Sequence, residues 1–359
     1  MKKSLLWVLL ITVIISMVAT FTLFGCKAEE VAEEAIEEVE EAAEEVEEAA
    51  EEVVEEKEFT VGVIYLFLRD EYFQAVQSHF QRLDEETKNI ELLEMDGDFN
   101  VEKFAKATED MIAAQVDGVI YCTFDPAAAV PQVKSMQEAG IKVLVYNIMA
   151  GGGVDAPYIG GSEYENGRKG GKISGMYFVE KFPDQDAKIV NVGCSFVEAS
   201  NQRRDGFVVG FKEGALGIEV ELVGDVDKDC SREGSLSAFE DFLETDTEFN
   251  IVYGVNDDCA LGALAALEAA GMDDPAKILT IGYGGSEGAV NKILDPDSSL
   301  KIDLGQPPKD NAEAAWQIML DMLEGKEVPE ITWWAIEVLT PESPGLNIWV
   351  EEQYGLIRK

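Results

Sequence analysis

The chain has 359 residues, with 71 Asp and Glu against 28 Lys and Arg and a formal net charge of −43 at pH 7. So acidic a surface repels nucleic acid and anionic lipid headgroups, which excludes DNA and RNA readers and peripheral binders of acidic membranes. A single histidine and five cysteines without a C-x-x-C pair exclude an ordinary zinc centre, and no metal site is assigned.

Met1, Lys2 and Lys3 precede an apolar run from Leu5 to Phe24, which ends in Gly25–Cys26. A basic start, an apolar stretch and a small residue before the cut read as a secretory signal over residues 1–25. A cysteine directly after that residue is the pattern of a bacterial lipoprotein, in which the Cys26 thiol is acylated and becomes the new N-terminus. The alternative is an uncleaved transmembrane helix, since about 20 apolar residues span a bilayer. Both place the rest of the chain outside the cytoplasm and tie it to a membrane.

Residues 26–58 are almost purely Glu, Ala and Val after the cysteine. Apolar residues recur with four–three spacing at Ala32, Ile36, Val39, Ala43, Val46, Ala50 and Val53, a heptad seam. Glutamates on the other faces repel one another. The segment reads as a solvated, partly helical stalk, with a coiled coil as the second reading. Thirty helical residues would reach roughly 45 Å.

From Phe59 onward, strands alternate with helices. Apolar runs at Thr60–Phe67, Val116–Tyr121, Lys142–Tyr146, Lys188–Val192, Asn250–Tyr253, Lys277–Ile281 and Ser299–Leu304 predict strands covered on both faces. Amphipathic stretches at Tyr72–Glu86, Val101–Ala114 and Asp257–Ala270 predict helices between them. The fold class is α/β with doubly wound parallel sheets. Ligands in such sheets bind where strand ends open into loops.

At those loops, Arg69, Asp70, Glu71, Tyr72 and Phe73 combine aromatic faces with charged groups, a pairing suited to sugar rings and hydroxyls. The plainer reading is that Tyr72 and Phe73 cover a helix end. Asp125 before Pro126, and Asn100 after Asp96–Gly97–Asp98, read as helix caps; the second has its glycine misplaced for a calcium loop. Asn147 offers both a donor and an acceptor to a hydroxyl. Arg203 can fork onto ligand oxygens or sit in a salt bridge, and Asn256 can cap a helix and face a cleft. Gly282–Tyr283–Gly284–Gly285–Ser286 is neither a dinucleotide fingerprint nor a P-loop. No G-x-S-x-G elbow exists, and His79 in its helical run reads as a surface side chain. The chain thus reads as a non-enzyme without a cofactor. Cys122, Cys194, Cys230 and Cys259 allow two disulfides or buried free thiols.

Six ordered pieces resemble the type 1 periplasmic binding proteins of ABC transporters, in the ribose- and galactose-binding branch. They are Thr60–Ile64, Gln115–Ile120 with Asp125–Pro126, Ala139–Val143, Arg203–Phe207, Asn256–Ala263 and Gln306–Pro307. The resemblance covers residues 59–359. It implies two parallel-sheet lobes joined by three crossings, near Gly160–Gly161, Leu304–Gln306 and Val338–Pro341. The N-terminal lobe would then be 59–160 plus 305–340, and the C-terminal lobe 161–304 plus 341–359. The family's ligand contacts fall on Asp70, Tyr72, Phe73, Asn147, Arg203, Asn256 and Gln306, with Asn201 nearby.

Three departures from the family pattern stand out. Sugar binders carry an Asp where this chain has Gly284, an Asp–Arg pair where it has Asn147–Ile148, and often an aromatic near Cys230. The pocket would lose a carboxylate, an arginine and an aromatic, which widens the ligand class from ribose to other pentoses, hexoses, polyols or a non-sugar solute. The implied function is a monomeric, lipid-anchored extracytoplasmic binder that delivers a small polar solute to an ABC permease. The alternatives are a sensor feeding a histidine kinase or chemoreceptor, and a binder of a nucleoside or signalling molecule.

Overall fold

The computed structural model describes residues 59–355, so the signal segment, Cys26 and its acylation, and the acidic stalk lie outside the described residues. Two six-stranded sheets carry the fold. The first has the order β11-β5-β4-β3-β1-β2, from β1 (Phe59–Tyr65), β2 (Ile90–Asp96), β3 (Gly118–Cys122), β4 (Lys142–Asn147), β5 (Tyr158–Gly160) and β11 (Ile331–Trp333). The second has the order β12-β10-β9-β8-β6-β7, from β6 (Ala187–Gly193), β7 (Val220–Asp227), β8 (Ile251–Gly254), β9 (Leu279–Gly284), β10 (Leu300–Gly305) and β12 (Glu337–Leu339). All pairings are parallel except β10–β12. The apolar runs become the central strands: every residue of β3, β8 and β9 is buried. The edge strands β2 and β7 are mostly half-buried or exposed and carry Glu and Asp, so no continuous apolar run announces them.

Helices α1 (Glu71–Glu86), α2 (Val101–Ala114), α3 (Pro126–Glu138) and α9 (Pro308–Leu323) pack on the first sheet. Helices α4 (Glu163–Lys181), α5 (Glu198–Gly214), α6 (Arg232–Leu243), α7 (Asp257–Ala269) and α8 (Glu287–Leu294) belong with the second. Asn100 and Asp125 cap α2 and α3 through two main-chain amides each.

The chain passes between the sheets at residues 161–162, 306–307 and 334–336. The third passage precedes the expected Val338–Pro341, because Glu337–Leu339 is already paired with Gly305–Asp303 as β12. The last helix, α10 (Leu346–Tyr354), does not belong to the second sheet's side alone. Trp349 Nε1 donates to Gly285 O (2.7 Å), while Gln353 O bonds His79 Nε2 (2.9 Å) and Gln353 Oε1 accepts from Lys309 N (3.1 Å). Its apolar face shares one buried cluster with Ala75 of α1 and Leu261 of α7. His79 is therefore buried, contrary to its surface reading, because the helix that covers it comes from the far end of the sequence.

The tightest packing joins α4 to α5. Gly167, Gly171 and Gly175 on one helix face Gly206, Gly210 and Gly214 on the other, each set spaced four residues apart. A Cβ on Gly171 would collide with the Phe207 carbonyl oxygen, and one on Gly206 with the Tyr164 carbonyl oxygen. The helix backbones thus touch along a stripe without side chains, the small-x-x-x-small packing familiar from membrane helices. Gly171→Leu should lower unfolding free energy by about 3 kcal/mol, seen as a reduced urea midpoint. Gly152→Ala, where a Cβ meets open space, should leave the midpoint unchanged.

Candidate functional site

A cavity lies where the C-terminal strand ends of both sheets face each other. The first sheet's side contributes Asp70, Tyr72 and Phe73 at the start of α1 and Asn147 at the end of β4. The second contributes Arg203 on α5 and Asn256 before α7, and Gln306 lines the cavity from a crossing. Asn201 does not line it. Two residues from Arg203, it lies about 200° around the helix, and its amide donates to Ser195 O (2.9 Å). Ser200, one turn before Arg203, takes the cavity face instead.

Asp70 caps α1, accepting from Tyr72 N (2.9 Å) and Phe73 N (3.3 Å). The cap fixes both rings, which stand edge to face at 5.2 Å. Tyr72 is pinned by its tip, bonded to Tyr146 OH and Asn311 Nδ2 (3.1 Å each). The rings therefore cover the helix end and wall the cavity at once. Asn147 adopts a left-handed backbone (φ 71°), rare for a residue with a side chain, which turns it out of the strand at the cavity's edge.

Arg203 is held from three directions. Its Nε donates to Glu163, its Nη1 to Val255 O (3.0 Å), and its guanidinium lies 4.0 Å from the centre of the Tyr283 ring. Glu163 is only 6 % exposed, so this is a buried ion pair, and Tyr283 OH donates to the same carboxylate (3.2 Å). Two of the five guanidinium donors are committed, which leaves the fork partly available to a ligand. Asn256 does two jobs as well: Oδ1 accepts from Cys259 N (2.8 Å) as a cap, and Nδ2 donates to Cys230 O (3.2 Å). Gln306 is 4 % exposed, and its Nε2 has no protein partner.

Several lining groups escape sequence reasoning. Cys194 and Cys230 form a disulfide (Cα–Cα 5.4 Å) that is part of the wall, while Cys122 and Cys259 are buried thiols. Burial pushes the Cys259 thiol up to about 12. The pairing joins loops after the neighbouring strands β6 and β7, an adjacency that a 36-residue separation does not reveal. Phe67 and Phe99 pack against each other at a tilt of 51° beside the cavity, with ring centres 4.7 Å apart. Arg232 bonds Asp258 (3.1 Å) and, from the opposite lobe, Glu71 (3.4 Å). At Gly284, where the family resemblance expects a carboxylate, Asp257 Oδ2 from another element lies 2.7 Å from where a side chain would begin.

Residues 61–327 match the profile of the periplasmic binding protein domain. The chain belongs to this family. It is 24% identical to a ribose import binding protein of Bacillus subtilis over 274 residues, 76% of this chain and 84% of that protein. An Escherichia coli ABC transporter periplasmic-binding protein is 27% identical over 221 residues, covering 59% of this chain and 65% of its own. A solved solute-binding protein of Actinobacillus succinogenes, with bound D-allose, superposes with a TM-score of 0.70 at 22% identity, covering 80% of this chain and 99% of its own. A Bacillus halodurans protein with bound myo-inositol superposes with a TM-score of 0.70 at 23% identity, covering 83% and 99%. At such identities the superpositions show the fold: two α/β lobes of the type 1 periplasmic binding proteins.

In this periplasmic binding protein, burial and then the charges of Asp258 and Asp257 raise the Asp70 carboxyl to about 7, against the two capping amides that lower it. A carboxyl raised on folding adds stability fully present below its unfolded value near 4 and lost as pH climbs to about 7. Asn also caps helices well. Asp70→Asn should therefore exceed wild type in stability at pH 8, by about 1–2 kcal/mol after solvent screening of a half-buried group, with the gap narrowing at pH 5 in urea unfolding. Replacing Cys194 and Cys230 together by serine should cost about 3–4 kcal/mol, measured the same way.

Proposed function

We propose that this protein is a lipid-anchored, extracytoplasmic solute receptor that captures a neutral sugar or polyol between its two lobes and hands it to an ABC permease. The observation that carries the reading is the cavity itself. Aromatic rings (Phe67, Tyr72, Phe73) and hydroxyl-reading groups (Asn147, Arg203, Asn256, Gln306) converge on it from both sheets, so one ligand bridges both lobes. In this reading the lobes, residues 59–160 with the returning segment and 161–304 with theirs, hinge at the three crossings. Ligand shifts the open–closed balance toward closed. The relatives named for ribose, and the neighbours with bound D-allose and myo-inositol, support a polyhydroxylated ligand.

Acylation at Cys26 would hold the monomeric receptor at the membrane, and the acidic stalk would give it reach while keeping it concentrated near the permease. The reading is of a binder and not an enzyme: the one histidine, His79, is bonded to Gln353 O and does not line the cavity.

Calorimetric titration of the full chain with D-ribose, D-allose, D-galactose, myo-inositol and adenosine tests this. One sugar or polyol should bind at one site per chain, and Arg203→Ala should weaken it about 10- to 100-fold. Folded protein that binds none of the sugars or polyols would overturn the sugar reading, and binding of adenosine alone would replace it with a nucleoside one.

A further inference from the structure

Beneath the cavity lies a pair of carboxyls that none of the family comparisons assigns. Asp257 opens α7 and lines the cavity; Asp303 sits behind it in β10, fully buried. Asp257 Oδ2 accepts from Ser286 N (2.7 Å), and Asp303 Oδ1 accepts from Gly285 N (2.7 Å) and Gly284 N (3.2 Å). The other two oxygens, Asp257 Oδ1 and Asp303 Oδ2, are buried and have no donor. Both crowd the same spot over Gly282, where a Cβ would meet Asp303 Oδ2 and lie 2.9 Å from Asp257 Oδ1. Two buried carboxylate oxygens crowded together without donors repel each other unless one carboxyl carries a proton, which can then bridge to the other.

Among the described residues neither carboxyl has an ion pair. The groups facing the pair are themselves acids or phenols: Asp70, Asp258, Tyr253 and Tyr354. The nearby arginines are committed elsewhere, Arg203 to Glu163 and Arg232 to Asp258 and Glu71. Burial and the neighbouring Asp257 charge push the Asp303 carboxyl well above the ordinary range. Asp303, fully buried and away from the cavity that Asp257 lines, is the better placed of the two to hold such a proton and donate it to Asp257 Oδ1. Every other site on Asp303 is filled by main-chain amides, so it cannot turn toward the ligand. Asp257 Oδ2, with one amide bound, keeps a lone pair on the cavity side. On the far side of Gly284, whose carbonyl accepts from Gln306 N (2.9 Å), stands the unpartnered Nε2 of Gln306.

We infer that Asp257, oriented by a protonated Asp303, is the acceptor that reads a ligand hydroxyl, with Gln306 Nε2 donating to a neighbouring oxygen of the same ligand. This rests on the sugar or polyol reading and narrows it to ligands that present a hydroxyl donor beside an oxygen acceptor at the β9–β10 end of the cavity. Asp303 is a positioning residue: as an acid it donates to Asp257, and an amide nitrogen in its place does the same.

Two measurements on the full chain test this. In calorimetry with whichever of D-ribose, D-allose, D-galactose or myo-inositol binds wild type, Asp257→Asn should weaken binding at least about tenfold. Asp303→Asn should stay within about threefold, and Asp303→Ala should lose as much as Asp257→Asn. Wild-type affinity in Asp257→Asn, or loss in Asp303→Asn equal to that in Asp257→Asn, overturns the assignment. The second readout needs no ligand. In carbon-13 NMR of aspartate-labelled Asp70→Asn protein, which removes the carboxyl that itself titrates near 7, one carboxyl should remain protonated at pH 7 and vanish when Asp303→Asn is added. If no sugar binds wild type but this resonance is present, the sugar reading fails and the proton assignment stands. If every aspartate is ionised at pH 7, the shared proton is refuted whatever the ligand.

Discussion

The glycine stripe between α4 and α5 is the contact on which the site depends. Removing six side chains lets two backbones meet, and the rigid pair then carries Glu163 and Arg203 at adjoining positions. A Cβ on Gly167 would strike the carbonyl oxygen of Arg203 itself, so the seam sets the depth at which the guanidinium emerges. A buried ion pair loses hydration on both partners and repays it only with well-placed hydrogen bonds. Here those come from Tyr283 OH and Val255 O, with the Tyr283 ring beneath the cation. Loosen the helices and the charged pair becomes a cost.

A second constraint is the negative charge gathered around the cavity. Asp70 from one lobe faces Asp257 and Asp258 from the other, and the like charges repel. Two features offset it. Arg232 ties Asp258 to Glu71 across the mouth, and the proton inferred for the Asp257–Asp303 pair would remove one charge. A ligand with several hydroxyl donors would satisfy these acceptors further. Helix α10 adds a connection between the lobes, where Trp349 and Gln353 hydrogen-bond residues of opposite lobes.

Legibility in the sequence follows burial. Central strands covered on both faces read as apolar runs, and caps read as Asp or Asn before a helix, so Asn100, Asp125 and Asn256 were visible, while the Asp70 cap emerged only in the structure. Edge strands β2 and β7, half solvated and studded with acids, were not. The three-residue strands β5, β11 and β12 are too short to show a period, which displaced the third crossing. Seven of the eight expected ligand contacts converge on the cavity because each sits at a strand end or on the right helical face. Asn201 shares their neighbourhood in sequence but faces away. The G-x-x-x-G spacing of Gly167, Gly171 and Gly175 was present in the sequence, and its partner stripe on α5 gives it meaning.

The sequence by itself determined the family, the parallel α/β architecture and most of the aromatic and amide groups at the site, because these depend on local periodicity and on motifs a few residues long. Only the tertiary structure decided which cysteines pair, that His79 is buried, and that Asp257 sits beside Gly284. The reason is physical. Each of these rests on contacts between residues tens to hundreds apart in the chain, made when strand order and helix packing bring them together, and no local pattern records them.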